Sequence, residues 1–564
     1  MAAINNARKV KVQQRSGFDK SFRNTLTGHV GTLIPILVDE LIPDTKVNLK
    51  INLATALPPL VSDTYMNVRL RVEAFVVPHR LCQANFEDFF SDYPVETVDN
   101  DYSSFDDFAF TEFKGCMPLI QLNSVDNLDF ASSLTGAGSL TDYMGIETRP
   151  SDAVGSFGKD IFVPIAPYVA YHLIWQEWYR NPRVQRPAFV PSQTIPTVAG
   201  STFNAVSVPY TRFYFGANNS QPSLTPYGDN VFDTYLLSDS VNILSLRQRN
   251  FGLDYFTSAL VEPQQGDVAV VKFGENGDPE DGFSIASLRA MNSIQQFRER
   301  NGLTSPRYQQ QLYARYGVAP SDGVIQRPVL IGASTYDVYS HGVTQSANIA
   351  SDPSVSVSAN PFSEFLGARA GNAFAGGSDF IISGFHAKEP MYLFVIASLV
   401  PEVSYSQNLN MIFRRYKGVG SITDMGNAIL QNVGPQPITT DMISVRGNDI
   451  AVFAYADRYS DFMYRNNEIH GKFKFGQDLA SFVLQRYFST SVPEFGSEFL
   501  TIPTDYLDDV LSVKSEVLGF GYWMDVMFEY RVSMPLQEYA IPSLQDPGYE
   551  HGKTIVLRKN GQLL

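Results

Sequence analysis

Lys46-Val47-Asn48-Leu49-Lys50-Ile51-Asn52-Leu53 sets four apolar side chains strictly against four polar ones. A period of two residues sends each set to its own face, so the stretch reads as a β-strand with one buried side. The pattern recurs just downstream, where Val68, Leu70, Val72 and Ala74 alternate with Arg69, Arg71 and Glu73. It returns at the far end of the chain, with Met524, Val526, Phe528, Tyr530 and Val532 against Asp525, Glu529 and Arg531. Strands so far apart in sequence can close one sandwich only if the chain between them is carried as insertions. A jelly roll is one fold built that way.

The intervening chain carries helical signals. Tyr171, Ile174, Trp175 and Trp178 fall at i, i+3, i+4 and i+7 and share one face, and Ile285, Leu288, Met291, Ile294 and Phe297 make a similar stripe. Val268 to Phe273, followed by Glu275-Asn276-Gly277-Asp278, reads as a strand turning at an Asn-Gly hairpin. Pro182 to Asn230 and Gly342 to Gly377 are rich in Pro, Ser, Gly and Asn and read as extended surface loops, a length that usually has a function. From Met1 to Arg23 the chain is polar and basic, with Arg8, Lys9, Lys11, Arg15, Lys20 and Arg23 against Asp19 alone. The expected organisation is a mobile basic arm over 1–29, one domain over 30–545 whose part from about 82 to 390 is loop- and helix-rich, and a tail over 546–564. Order is expected from about Val30.

Of the 564 residues, 13% are aromatic and 18% charged, against a usual charged share of about 25%. Low charge with many aromatics fits either a protein that hides much of its surface against neighbours or one with a large aromatic core. A net charge of −15 excludes a surface that binds nucleic acid everywhere and leaves room only for a local contact. Arg8, Lys9, Lys11 and Arg15 are the candidate residues for such a contact; a solvated tail and a clamp on a neighbouring subunit are the other readings of the same arm. Cys82 and Cys116 form no CxxC pair, so neither a disulfide framework nor a thiolate zinc site is expected. No apolar segment follows the basic N-terminus, and the strongest apolar run, Met391 to Val400, falls short of the roughly 20 residues of a membrane span.

No catalytic, cofactor or metal site is expected. His29, His79, His172, His341, His386, His470 and His551 are scattered without an HExxH pair. Gly548-Tyr549-Glu550-His551-Gly552-Lys553-Thr554 is one residue short of a phosphate-binding loop and lacks a preceding strand, while Gly418-Val419-Gly420-Ser421 lacks the third glycine of a dinucleotide site. Asp106-Asp107 and Asp508-Asp509 are adjacent pairs that read as solvated loops, and Asp278, Glu280 and Asp281 belong to a turn rather than a calcium site.

Several blocks, in order along the chain, carry a family resemblance. They are Ser16-Gly17-Phe18-Asp19-Lys20-Ser21, Gly31-Thr32-Leu33-Ile34-Pro35, Phe75-Val76-Val77-Pro78-His79-Arg80-Leu81, Ala170 through Arg180, Asp254-Tyr255-Phe256-Thr257-Ser258-Ala259-Leu260 with Pro263-Gln264-Gln265-Gly266, Ser287 through Val318, Ser404 through Asn410, Met534-Pro535 and Ile541-Pro542-Ser543-Leu544. Together they resemble the major capsid proteins of microviruses, nearest the gokushovirus branch. The resemblance implies an eight-stranded antiparallel jelly roll with long loop and helical insertions. It also implies self-assembly of about sixty copies into a T=1 shell around circular single-stranded DNA. The implied partners are other copies of the chain, packaged DNA, minor virion and scaffold proteins and a host surface receptor, with no membrane insertion, in a virion assembled in the bacterial cytoplasm. In that family a variable insertion before the helix at Ser287 builds host-facing protrusions; here only Asp267 to Ser284 fills the place, which argues against a tall one. A secreted aromatic-rich β-sandwich that binds carbohydrate and a large β-rich hydrolase are the alternatives. The first should show a leader or disulfides, the second a convergent acid/base pair.

Overall fold

The computed structural model describes residues 15–62, 64, 65, 67–82, 86, 90, 119–121, 137–146, 162–164, 166–191, 235–237, 244–264, 285–345, 369–415, 426, 431, 434–446, 450–489 and 491–536. Its framework is a sheet of nine strands: β1 (Ser16–Asp19), β2 (Phe22–Gly28), β3 (Ile34–Leu41), β4 (Lys46–Ala56), β5 (Val68–Pro78), β6 (Val329–Gln345), β7 (Arg369–His386), β8 (Met391–Pro401) and β9 (Tyr522–Met534). The order is β1-β9-β4-β7-β6-β5-β8-β3, with β2 also on β9 and every pair antiparallel.

β1 and β2 lie end to end on one edge of β9. Ser16 faces Met534 and Asp19 faces Arg531, then Phe22 faces Phe528 and Gly28 faces Tyr522. They are one strand interrupted at Lys20 and Ser21, so the sheet has the eight lines of a jelly roll. It curls on itself and encloses a core drawn from both halves.

The alternations read from the sequence become this core. Val47, Leu49 and Ile51 of β4 and Met524, Val526 and Phe528 of β9 are fully buried, as are Leu70 and Val72 of β5. Burying each large apolar side chain contributes about 2 kcal/mol before the chain entropy opposing it. β8 follows another rule and is buried along its whole length. Leu393, Val395, Ala397 and Leu399 enter the main core, whereas Tyr392, Phe394 and Ile396 join a second cluster on the opposite face. A strand covered on both faces needs few polar residues, which accounts for an apolar run interrupted only by the buried Ser398.

The second cluster is closed by α1 (Ala166–Ile174), which continues as one π turn over Trp175–Tyr179. Tyr171, Ile174 and Trp175 are buried, and Trp178 packs at the margin. Tyr171 Oη donates to the Leu33 carbonyl at 2.8 Å and Trp178 Nε1 to that of Pro328 at 2.9 Å. Two further helices, α2 (Ile285–Leu303) and α3 (Tyr308–Tyr316), stand off this body. No described helix is long and apolar enough to cross a membrane.

Two expectations need correction. Order does not start near Val30, because β1 and β2 already pair with β9. Their outward residues are polar, as an edge strand with one wet face allows, while Phe22 stacks on Phe528 at 4.7 Å between ring centroids and Leu26 is buried. Nor is the chain loop-like throughout up to residue 390, since β6 and β7 occupy 329–345 and 369–386 and take in both ends of the Gly342 to Gly377 stretch, whose middle, 346–368, lies outside the described residues. The glycines there mark close packing rather than turns: a Cβ on Gly377 would lie 2.3 Å from the Tyr336 ring. The hairpin expected at Val268 to Asp278 lies outside the described residues.

At Gly332, beside a bulge in the β5–β6 pairing, a Cβ would fall 1.9 Å from the Ile381 carbonyl oxygen. Gly332→Ala is therefore expected to cost roughly 3 kcal/mol, read as a lower denaturation midpoint. Gly323→Ala, with nothing within 4 Å of its Cβ, should leave the midpoint unchanged.

His79, just after β5, is buried, stacks on Tyr392 at 4.0 Å, and holds Nε2 3.6 Å from Glu40, beyond hydrogen-bond reach. Burial pulls its imidazole down to about 4, whereas in the unfolded chain it titrates near 6.5. Its neutral form thus supports the fold fully above about pH 6.5, and that support is lost as pH falls toward 4. Melting curves of His79→Gln should show a shallower loss of stability across this window than those of the parent.

Candidate assembly and nucleic-acid surfaces

The Asp254 block is a clasp. Asp254 Oδ1 accepts the amides of Phe256 at 2.9 Å and Thr257 at 2.7 Å, and Thr257 Oγ1 accepts the Asp254 amide at 2.8 Å. This reciprocal cap leaves Oδ2 for Tyr405 Oη at 2.7 Å. Burial and the adjacent carboxylate raise the Tyr405 phenol well above its ordinary range, so it stays a donor. Leu260 and Tyr455 exchange both backbone hydrogen bonds, at 2.7 and 2.8 Å, and Asn466 Oδ1 accepts the Tyr255 amide at 3.1 Å. Next to it Arg486 is buried with its guanidinium 3.8 Å from the Phe499 ring centre and 4.6 Å from that of Phe251. The block therefore ties the chain before β6 to the long insertion between β8 and β9.

A second anchor fixes the α1 layer to the sheet. Arg249 reaches Glu73 through Nη1 at 2.8 Å and Nη2 at 3.1 Å, and Nη1 also donates to Ser398 Oγ at 2.9 Å. Tyr179 Oη donates to the same carboxylate at 2.5 Å, and burial followed by that negative charge pushes its phenol far up. Beside it Arg247 stacks 4.3 Å over Trp175, burial pushing its guanidinium down to about 10.

The candidate arm residues divide. Arg15 donates to the Asp44 carboxylate at 2.8 Å and to Ser533 Oγ at 3.0 Å, so it belongs to the margin of β9. Asp44 is held below the usual carboxylate range by its hydrogen bond with His386 and by the Arg15 charge. Arg8, Lys9 and Lys11 lie outside the described residues. On the outward face of the β9 half of the sheet, Arg23 pairs with Asp525 at 2.5 Å and Lys50 with Glu529 at 3.1 Å, which leaves little unbalanced charge.

The α2–α3 pair offers the opposite character. Its base is pinned by Arg307 Nη2 to the Arg180 carbonyl at 2.8 Å and by Arg183 Nη2 to the Leu303 carbonyl at 2.5 Å. Beyond the base, Ile294, Phe297, Tyr308, Tyr313 and Tyr316 are exposed, Tyr316 by 73%. Ile294 and Phe297 of the α2 stripe are thus left open to a partner instead of entering this subunit's core.

Among the described residues no three His, Cys, Asp or Glu side chains come together as a metal group. Asp508 is a turn residue that accepts the Ser515 amide at 2.9 Å, and Cys82 is buried, its thiol pushed up by burial. The sequences at Gly418 to Ser421, Gly548 to Thr554, Asp278 to Asp281 and Asp106-Asp107 lie outside the described residues, as does Cys116.

The family model described as "Capsid protein (F protein)" matches residues 8–110 and 278–544. These two stretches contain all nine strands of the sheet, while α1 and the Asp254 clasp fall between them. Among curated proteins the chain is similar to "Capsid protein VP1" of Chlamydia phage 1, 23% identical over 94% of this chain and 96% of that one. It is equally similar to "Capsid protein VP1" of Bdellovibrio phage phiMH2K, 23% identical over 94% and 95%. The protein of the same name from Spiroplasma virus 4 is 22% identical over 47% of this chain and 46% of that one.

Asp254→Ala would strand the Tyr405 hydroxyl and two amides in a buried place, a loss of roughly 2–4 kcal/mol. Limited proteolysis should then cut first within 402–500, while Ser258→Ala, at an exposed edge of the same turn, should behave as the parent.

Proposed function

The chain belongs to the capsid protein (F protein) family, and from that membership we propose that it is the major capsid protein of a small single-stranded DNA bacteriophage of the microvirus type. Copies of the chain assemble into a T=1 icosahedral shell around the circular genome. The observation that carries this reading is the coincidence of the two matched stretches with the complete eight-line jelly roll. The exposed aromatic surface of α2 and α3 supports it, since a subunit that spends its working life between neighbours leaves such surface open.

The protein's role is structural: containment of DNA and presentation of a host-attachment surface, with no catalytic step. It resides in the virion after assembly in the bacterial cytoplasm, with minor virion proteins, a scaffold and a host receptor as its further partners. Arg8, Lys9 and Lys11 neutralise phosphates of the packaged strand without reading sequence. Arg15 marks where the arm joins the shell.

Electron microscopy of the purified chain should show closed particles of uniform size. Removal of residues 1–14 should leave shells intact and lower their DNA content; shells with unchanged DNA would rule out the arm as a phosphate contact.

A further inference from the structure

α2 and α3 carry an unusual charge. Between residues 285 and 316 stand Arg289, Arg298, Arg300, Arg307 and Arg315 against the single acid Glu299, in a chain whose net charge is −15. Arg307 is engaged at the base, whereas Arg289 and Arg300 are exposed and pair with no carboxylate among the described residues. Arg315 lies 5.1 Å over the Phe297 ring and donates to Asn301 at 3.2 Å, also without a carboxylate. Exposed tyrosines interleave with these cations.

The opposite character occurs in the segment leading to β9. Residues 494–516 carry Glu494, Glu498, Asp505, Asp508, Asp509 and Glu516 against Lys514 alone. Glu494, Glu498, Asp505 and Glu516 are exposed and form no ion pair among the described residues. Burial, then the Asp508 and Asp505 carboxylates, raise Asp509 above the ordinary carboxylate range, an effect that the Lys514 charge offsets only in part. Val517, beside them, is 71% exposed.

We propose that the basic, aromatic α2–α3 pair of one copy docks on the acidic 494–516 segment of the next copy. The proposal rests on the capsid reading and names the surface through which it acts. The two patches differ, so the contact is heterologous, and a rotation that closes the series gives a ring. Opposite charges set the register and speed encounter, while Phe297, Tyr308 and Tyr313 supply the desolvated centre. Nucleic acid is the weaker occupant for two reasons. The five cations are all arginine with no lysine, the bias of protein interfaces, where Arg is enriched and Lys depleted. A phosphate partner would also leave the acidic segment unmatched.

The test uses the full-length chain in three forms: R289E/R300E/R315E, E494K/E498K/D505K, and all six changes together. Circular dichroism checks folding, while sedimentation velocity and electron microscopy follow assembly. Each triple variant should need at least about ten-fold more protein to form particles, and the six-fold variant, with both signs exchanged, should recover to near the parent. Glutamine in place of each reversed arginine should act in the same direction, so a reversal that perturbs folding still leaves a readable variant. Either triple variant assembling like the parent overturns the proposal, as does a folded six-fold variant that fails to recover. Normal shells that lose DNA only in the arginine variant would assign the helices to nucleic acid and overturn it too. A parent chain that stays monomeric at every concentration overturns the assembly reading itself, and the docking contact with it.

Discussion

Everything in this subunit depends on β9 lying between the β1–β2 line and β4. That placement brings together residues nearly the whole chain apart: Lys50 and Glu529 form an ion pair across 479 positions. It is sustained by the alternation of β9, whose inward Tyr522, Met524, Val526, Phe528, Tyr530 and Val532 reach the core while the outward residues meet solvent. A one-residue slip of the register would exchange the two faces, so the hydrophobic pattern leaves one pairing open. The entropy of closing so long a loop grows only with the logarithm of its length. Long insertions between β5 and β6 and between β8 and β9 are therefore compatible with the same framework.

Insertions tolerated by the sheet still need fastening to it, and the fastenings are polar. Glu73 collects Arg249 and Tyr179, while Asp254 collects its own turn and Tyr405. Both carboxylates sit where removal of one partner would leave the others buried and unpaired, a larger loss than the net worth of each bond. Apolar packing decides where the layers lie. The carboxylates decide which segment lies against which.

The framework was legible in the sequence where one face is buried and the other wet. β4, β5 and β9 announce themselves by period two, and Tyr171, Ile174 and Trp175 by helical spacing. Legibility fails where that condition fails. β2 exposes most of its length at an edge, and β6 and β7 contain glycines because ring and backbone approach them closely, so their composition imitates a loop. Among the candidate binding residues, Arg15 looks like the rest of the basic arm because sequence records its charge and not Asp44, which takes it up. The Asp254 block was recognisable as a family mark, and its Asp-x-x-Thr spacing contains the cap. Its tie to Tyr405, 151 residues away, has no local trace.

The position of β9 in the chain also has a temporal meaning. Because β1, β2 and β4 share no direct pairing and meet only through β9, the β9 half of the sheet stays incomplete until residues 522–534 have been synthesised. A nascent or truncated chain lacks the middle of its own wall. Such a chain presents unpaired strand edges instead of a finished subunit, and open edges of that kind are templates for wrong pairing with other chains.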